Sequence, residues 1–313
     1  MTVYEKKLVQ EALQGYHIRG RKISFLRHNE NITCRIVSGN DAWVLRIHSP
    51  MEGFSPGLYG TASAIDLMRG ETELLLYLAE RASFPVQIPV QNRSGEYVTV
   101  LSGGIPCELL QWIGGEPLEK DNANPYAGSL GAMAAEIHRA AGGFDGIRLS
   151  YSHDLVHRME AELDLAYGRA HISREHRTTC QEVLDQADRI MAELDGIPGA
   201  RSLIHADLGF GNVLRTPSVL CPIDFSLSGY GYRVQECGML AANYIHEEQW
   251  ECIREGYERA GGIAVDRHHM QIFRAFSFLL FIAAQHNRFW RERWFRDFMN
   301  RWTAGFFDIA SPL

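Results

Sequence analysis

The chain has 313 residues, which is enough for one large domain or for two lobes with a cleft between them. Its composition, 46% hydrophobic, 22% charged and 11% aromatic, is close to that of an average soluble globular protein and excludes disorder as the main state. The 31 basic and 38 acidic side chains give a net charge of −7, which argues against nonspecific binding to nucleic acid.

Three features predict a cytoplasmic protein. The six cysteines include no C-x-x-C pair, so they indicate buried thiols in a reducing compartment rather than a disulfide framework or a structural zinc site. The longest apolar stretch, Ala275 to Ala284, is too short to cross a bilayer. The N-terminus carries charges throughout, unlike a signal peptide. We therefore expect no membrane partner.

The first part of the chain predicts a five-stranded antiparallel sheet with one helix. Five short runs are rich in β-branched and aromatic residues and are separated by turn residues such as Ser38-Gly39-Asn40-Asp41. A helical pattern lies between the third and fourth runs, from about Ala64 to Ala82. The predicted strands are Lys22–Leu26, Ile32–Val37, Ala42–Ile47, Glu96–Leu101 and Ile105–Gln111.

The pattern changes at Trp112-Ile113-Gly114-Gly115, a cluster that can act as a hinge. We place the boundary there, with an N-terminal lobe over residues 1–112 and a mostly helical C-terminal lobe over residues 113–313. One short β island interrupts the second lobe, with strands at Ser202–Ile204, Val213–Leu214 and Leu220–Ile223. The predicted helices cover Asn124–Ala140, Ser152–Tyr167, Ser173–Leu194 and the chain from Tyr232 onward.

The island carries the residues that indicate a chemistry. It reads His205-Ala206-Asp207-Leu208-Gly209-Phe210-Gly211-Asn212, which fits H-x-D-L-x-x-x-N, and then Ile223-Asp224-Phe225. This order, on loops between strands, is typical of kinase-like phosphotransferases. A phosphoryl group leaves with negative charge that Mg²⁺ offsets, and Mg²⁺ prefers oxygen ligands such as those of Asn212 and Asp224.

The remaining two residues of the loop have different predicted roles. Asp207 is the carboxylate that accepts the proton of the attacking hydroxyl. His205 also belongs to the predicted catalytic loop, and we expect it to brace the loop from beneath rather than react, since a second base would compete with Asp207.

The chain resembles the aminoglycoside phosphotransferase and choline kinase family, which has a protein-kinase-like fold. The resemblance covers nearly the whole length, and the loop HADLGFGN is its most specific part. The supporting segments, in chain order, are Asn29 to Arg35, Trp43 to His48, Glu108 to Gly115, and Ser129 to His138. The resemblance implies a bilobal α+β fold and a nucleotide, ATP, bound with Mg²⁺ between the lobes.

The resemblance also implies nucleotide-binding residues in the first lobe. The family has a lysine on the third strand, held by a glutamate on the following helix, and here that strand offers Arg46. Helical geometry favours Glu71 over Glu73 as its partner, because Glu71 lies on the apolar face of the helix. Adenine is expected near the hinge, with contacts at Leu110 and Trp112.

The sequence departs from protein kinases in two places, and the second points to a small-molecule acceptor. Arg27 to Asn31 contains no glycine where those enzymes have a glycine-rich lid, and Asp224 is followed within ten residues by a helix, which leaves no room for a long activation segment. A further departure is Glu236, a longer acid than the family carries after Gly229-Tyr230-Gly231. Two alternatives stay open: a bacterial stress-type Ser/Thr protein kinase of the same fold, and a catalytically silent nucleotide-binding protein.

The identity of the acceptor rests on charge. Acids near the catalytic loop would attract an amino-bearing acceptor such as an aminoglycoside, an amino alcohol or a hydroxy amino acid, although they are equally typical of solvated helix faces. The tract from His286 to Trp302, rich in arginine and aromatic residues, predicts a packed amphipathic helix and leaves a role in acceptor binding open. The acids considered are Asp154, Glu160, Glu162, Asp164, Glu236, Glu247, Glu248 and Glu251.

Overall fold

The computed structural model describes residues 1–18, 21–53 and 55–310, with side chains described except at residue 56 and residues 305–310. A five-stranded sheet and two helices form the N-terminal lobe. In chain order its elements are α1 (Val3–Gln14), β1 (Lys22–His28), β2 (Asn31–Ser38), β3 (Asp41–His48), α2 (Ala64–Ala79), β4 (Val98–Leu101) and β5 (Ile105–Gln111).

The sheet has the strand order β1-β2-β3-β5-β4 with antiparallel neighbours throughout. A two-residue turn joins β2 and β3, and Gly39 within it has φ +59°, a conformation that glycine adopts at little cost. Arg46 on β3 lies directly opposite Glu108 on β5. The five strands predicted from sequence are therefore confirmed, and two buried charged residues face each other at the centre of the sheet.

Helix α1 was not predicted. Thr2 and Glu5 form a capping box at its start, and its apolar residues, Leu8 and Leu13 among them, pack against the sheet in the smaller of two hydrophobic cores. The lobe therefore has two helices rather than one. The capping signal is legible in the sequence, but the short apolar face of α1 is a weak pattern by itself.

The C-terminal lobe is mostly helical, as predicted. In chain order its elements are β6 (Glu116–Pro117), α3 (Ala127–Ala140), β7 (Leu149–Ser150), α4 (His153–Gly168), α5 (Arg174–Asp195), β8 (Arg201–Ile204), β9 (Val213–Arg215), β10 (Leu220–Pro222), β11 (Gly229–Tyr232), α6 (Arg233–Ala241), α7 (Glu247–Arg259), α8 (Arg267–Phe289) and α9 (Arg293–Ala310). The tract from His286 to Trp302 is divided between α8 and α9, so the single amphipathic helix expected there is wrong.

Two features tie the lobes together. Leu74, Leu75 and Leu78 of α2 belong to the larger hydrophobic core, which is centred on the helices of the C-terminal lobe. Leu58, in the connection between β3 and α2, is 1% exposed and belongs to the same core, and its carbonyl accepts a hydrogen bond from Arg158 Nε of α4 at 2.8 Å. The connection therefore fixes one side of the cleft between the lobes.

The segment after Asp224 is short and is held in place by strand pairing. A 3-10 turn over Phe225–Leu227 leads into β11, which pairs with β8 and β7 before α6 begins at Arg233. Gly229 permits this pairing, since an added Cβ would lie 2.4 Å from the Leu149 carbonyl oxygen. The prediction that no long activation segment follows Asp224 is confirmed.

The remaining expectations concern cysteines and membrane spans. Cys252 is exposed and the other five cysteines are buried, so the expectation of buried thiols holds for five of six. In the part of the chain that the structure describes, no helix has both the length and the apolar character needed to cross a bilayer.

Candidate active site

The loop between β8 and β9 presents Asp207 to the cleft between the lobes. The Asn212 side chain donates from Nδ2 to Asp207 Oδ2 at 2.6 Å and to the Asp207 carbonyl at 3.1 Å. These bonds fix the Asp207 carboxylate and leave the Asn212 Oδ1 oxygen as the free end of the amide. The predicted base and one predicted metal ligand are thus neighbours.

Glu236 holds the backbone of this loop. Its carboxylate is fully buried at the start of α6 and accepts hydrogen bonds from the amides of His205 and, at 3.2 Å, Ala206. Ala206 has φ +61°, a conformation that costs a non-glycine residue roughly 1–2 kcal/mol. The two amide bonds offset that strain, so the longer acid at this position supports the catalytic loop.

His205 links the loop to neighbouring segments through buried contacts, and its bracing role stays a prediction. Its ring is fully buried against Phe225 at a centroid distance of 4.5 Å. Nε2 lies 3.2 Å from the Ile223 carbonyl oxygen, and Nδ1 accepts the Asp207 amide at 3.3 Å. Burial lowers the pKa of His205, so the ring stays neutral and joins the loop to the segment that carries Asp224.

Asp224 lies opposite Asp207 and is surrounded by donors. Arg27 of β1 reaches across the cleft to contact Asp224 Oδ2, Arg46 lies 3.2 Å from Oδ1, and the Ser226 hydroxyl donates to Oδ1 at 2.9 Å. Burial opposes ionisation, but the charges of Arg46 and Arg27 outweigh it and lower the pKa of Asp224. Asp224 is therefore a carboxylate, the form that a metal ion requires.

Arg46 is buried among three carboxylates. Its guanidinium lies 2.6 Å from Glu71 and 2.9 Å from Glu108, in addition to Asp224. Glu73 is exposed, so the structure selects Glu71 as the helical geometry predicts. Glu108 was not predicted. Both oxygens of its carboxyl group lack a hydrogen bond of good geometry, so its interaction with Arg46 is chiefly electrostatic. Burial raises the pKa of Glu108.

The environment of Asp207 raises its proton affinity. The Asp207 side chain has a large solvent-accessible surface, but it lies inside the cleft, where the surrounding protein displaces water. This desolvation, with the nearby charges of Asp224 and Glu30, raises the pKa of Asp207 to about 7. A carboxyl group with that pKa can accept a proton from a reacting hydroxyl near neutral pH.

Arg148 fixes the segment that begins at Asp224 and was not predicted. It is buried, and its guanidinium donates to the carbonyls of Phe225 at 2.6 Å and Ser226 at 2.8 Å. It also donates to the Leu67 carbonyl of α2 at 2.7 Å. No local motif surrounds Arg148 in the sequence, because its partners are distant along the chain.

The hinge has open backbone donors after Trp112. The Trp112 amide donates to the Ala42 carbonyl at 3.0 Å, and the Trp112 ring is stacked under Arg35 at 4.4 Å. The next amide, that of Ile113, makes no hydrogen bond to any residue the structure describes. Leu110 is buried at the end of β5. A role of Leu110 and Trp112 in base binding stays a prediction, and the open backbone donors begin one residue further on, at Ile113.

A cavity of about 540 Å³ opens beside Asp207. None of the eight acids considered above is among the described residues that line it, so the expectation of an acid-lined pocket built from them is wrong. Its charged groups come from the catalytic residues and from loops of both lobes, and aromatic side chains of α8 form its far wall. The residues that line it include Arg27, Glu30, Asp207, Asp224, Phe278, Phe281, Gln285, Arg288 and Phe289.

Comparison with known proteins identifies the family. The model of the phosphotransferase enzyme family matches residues 22–273, well over half of the chain. The chain belongs to this family. The predicted family is thereby confirmed, and the cleft described above is that of a phosphotransferase.

Individual relatives are distant in sequence. Amicoumacin kinase of Bacillus subtilis (strain 168) is 23% identical over 252 residues, which cover 77% of this chain and 69% of the relative. A microcompartment-associated aminopropanol kinase superimposes with a TM-score of 0.75 at 20% identity, covering 96% of this chain and 94% of that structure. An amicoumacin kinase in complex with AMP-PNP, Ca²⁺ and Ami gives a TM-score of 0.72 at 17% identity, covering 98% and 93%. These likenesses confirm the bilobal α+β fold of this phosphotransferase.

Proposed function

We propose that this phosphotransferase moves the γ-phosphoryl group of ATP to a hydroxyl of a small, amino-bearing molecule. The observation that carries the proposal is the meeting of Asp207, Asn212 and Asp224 at one cleft, with Arg46 bonded to Asp224 from the other lobe. Among similar proteins, the amicoumacin kinase structure holds AMP-PNP and Ca²⁺, which supports a nucleotide and a divalent cation here.

The residues present fit a magnesium ion. Asp224 is ionised, and the Asn212 amide donates its NH₂ end to Asp207, which leaves its oxygen for a cation. Mg²⁺ would be held by these two oxygens and would supply the positive charge that offsets the phosphate oxygens. Because Arg27 contacts Asp224 directly, metal binding would require Arg27 to move, and its cation would then be available to the phosphates.

The chain's own residues account for the transfer. Asp207 accepts the hydroxyl proton as the acceptor oxygen bonds to the γ-phosphorus, and the bond from that phosphorus to the ADP oxygen breaks. Arg46, held by Glu71, approaches the departing phosphates. His205 and Glu236 react with nothing and keep the backbone of the loop in place.

The amino group of the acceptor is supported by two observations. The aromatic wall of the cavity and the carboxylates of Asp207 and Glu30 form surroundings that attract a cation. Two similar solved structures are kinases of amino-bearing compounds, an aminopropanol kinase and spectinomycin phosphotransferase, the latter at a TM-score of 0.58 and 13% identity. The further features predicted for this chain, a cytoplasmic location and no nucleic acid partner, stay predictions.

An ADP-release assay tests the proposal. Purified protein with Mg·ATP is assayed against aminoglycosides, amino alcohols, hydroxy amino acids, neutral sugars and added protein. We expect acceptor-dependent ADP release with an amino-bearing alcohol and the matching phosphate ester by mass spectrometry. Turnover only with neutral sugars contradicts the amino group, phosphorylation of protein alone favours the protein-kinase alternative, and nucleotide binding without any turnover favours the silent one.

A further inference from the structure

One side of the acceptor cavity carries two polar groups that have no hydrogen-bond partner within the described part of the chain. The Gln285 Oε1 atom is buried and accepts no hydrogen bond there. The Arg288 guanidinium forms no ion pair or hydrogen bond with any residue the structure describes and is stacked on the Phe289 ring at 4.7 Å. A buried oxygen without a donor costs about 1–3 kcal/mol, which a ligand donor would recover.

Both groups lie on one face of α8. Gln285 and Arg288 are three residues apart, so their side chains are neighbours on the helix surface. His286, one of the two residues between them, is fully buried on the other side of the helix, where it lies 2.9 Å from His171 and 3.4 Å from Glu162. These contacts hold this turn of α8 in place, with the Gln285 and Arg288 side chains toward the cavity.

The loop between β3 and α2 also holds this turn of α8 in place. The Ser55 amide donates to the Ala284 carbonyl at 3.2 Å. Gly53 packs so closely that an added Cβ would lie 3.2 Å from the Arg288 Cα, and its φ of +87° also favours glycine. The Arg288 backbone is therefore held at the cavity edge by a loop of the N-terminal lobe.

The chemistry of the pair is complementary to a zwitterion. An amide oxygen accepts hydrogen bonds from an ammonium group, and a guanidinium donates two parallel bonds to a carboxylate. We propose that Gln285 and Arg288 bind the ammonium and carboxylate groups of the acceptor, which is therefore a hydroxy amino acid or a larger molecule with such an end. This inference rests on the proposed function and narrows its acceptor class.

The size of the cavity agrees with such an acceptor. Its 540 Å³ also include the space beside Arg27 and Asp224, where the terminal phosphates would lie. The part bounded by Phe278, Phe281 and Gln285 is left for the carbon chain of the acceptor, which would reach from α8 toward Asp207. Apolar walls around two polar groups are the usual construction of a small-molecule site.

Three probes separate the two groups. L-homoserine carries a hydroxyl, an ammonium and a carboxylate; 3-aminopropan-1-ol is the same molecule without the carboxylate, and 4-hydroxybutanoate is the same molecule without the ammonium. We expect kcat/KM for ADP release to be highest with L-homoserine. Loss of either charged hydrogen-bond partner from the probe lowers kcat/KM by about 10- to 100-fold.

Variants then assign each group to its residue. Arg288→Gln is expected to raise the KM for L-homoserine and 4-hydroxybutanoate by about 10- to 100-fold and to leave that for 3-aminopropan-1-ol within about twofold. Gln285→Leu should affect the two ammonium-bearing probes and spare 4-hydroxybutanoate. Arg291→Gln is the matched control, because Arg291 stacks on Trp290 at the same 4.7 Å but does not line the cavity.

Several results would overturn the assignment. One is turnover of 3-aminopropan-1-ol that is as fast as that of L-homoserine or faster. A second is an equal effect of Arg288→Gln on all three probes. A third is binding of Mg·ATP without turnover of any carboxylate-bearing probe. If amino alcohols are still phosphorylated in these cases, the proposed function stands and only the zwitterion site is wrong. Absence of both nucleotide binding and ADP release with every acceptor counts against the proposed function itself.

Discussion

Glu236 accepts hydrogen bonds from the backbone amides of His205 and Ala206, and so joins the first turn of α6 to the catalytic loop. His138 lies on its other side, with Nε2 3.7 Å from Glu236 Oε2. A single buried carboxylate therefore sets the backbone from which Asp207 projects. The position of the Asp207 carboxylate in the cleft depends on Glu236, which does not itself line the cavity.

The first prediction concerns that carboxylate. Glu236→Ala should destabilise the protein by about 3–5 kcal/mol, because it removes a buried charge and leaves two amides unpaired. The milder Glu236→Gln should fold and lose turnover while keeping Mg·ATP affinity, since the loop moves but the metal ligands stay. Chemical denaturation and nucleotide titration measure the two effects. Unchanged kcat in Glu236→Gln would contradict the positioning role.

The second prediction concerns the base. Asp207→Asn should keep Mg·ATP binding but lower kcat by roughly 10²-fold or more, the usual scale for loss of a positioned proton acceptor. The amide preserves the shape of the side chain, so the thermal unfolding temperature should stay near that of the wild type. Near-normal turnover in the purified variant would remove Asp207 from the mechanism.

The third prediction concerns the metal ligands. Asp224→Ala should abolish Mg²⁺-dependent nucleotide binding, whereas Asn212→Ala should weaken it less, because only the carboxylate offsets the charge of the ion. Titration of Mg·ATP by calorimetry compares the two variants. Wild-type affinity in both would mean that the metal lies elsewhere.

The fourth prediction concerns the buried arginine. Arg46→Ala should raise the KM for ATP strongly and destabilise the fold by about 3–5 kcal/mol, because it removes the guanidinium that lies between the buried Glu71 and Glu108 side chains. Arg46→Lys keeps the charge and should retain measurable activity. Glu71→Gln should raise the KM as well, with Glu73→Gln on the exposed face of α2 as its control. Full activity of Arg46→Ala would assign the phosphates to another cation.

The fifth prediction concerns stability and pH. His153 at the start of α4 lies 2.5 Å from Asp188 and 3.2 Å from Asp195 of α5, and these hydrogen bonds raise its pKa above 6.5. The stabilisation is fully present below the unfolded pKa and is lost as the pH rises through the folded pKa. The contribution is small, because the side chain is 34% exposed.

The variant His153→Gln tests this dependence. Its deficit in thermal unfolding temperature relative to the wild type should be larger at about pH 5.5 than at about pH 8.5, the two sides of the titration of histidine. A deficit of the same size at both pH values would show that the ion pairs contribute nothing and that only the shape of the ring matters.

The sequence by itself determined the five strands of the sheet and the local spacing of the candidate site residues. Strand residues alternate with clear turn signals from Lys22 to Gln111, and the spacing of Asp207, Asn212 and Asp224 is a local property of one β-loop-β segment. The choice of Glu71 over Glu73 also followed from helical geometry, because only one of them shares a face with the leucines of α2.

Only the tertiary structure decided which distant side chains reach this segment. Arg27, Glu108 and Arg148 contact residues far along the chain, and no local pattern encodes such contacts. The acids near the catalytic loop pointed to an acid-lined pocket, but side-chain direction depends on how helices pack, and the cavity is lined instead by Gln285 and Arg288 of α8. The sequence gives the sign of each charged side chain, whereas the packing of the two lobes decides which of these side chains line the cavity.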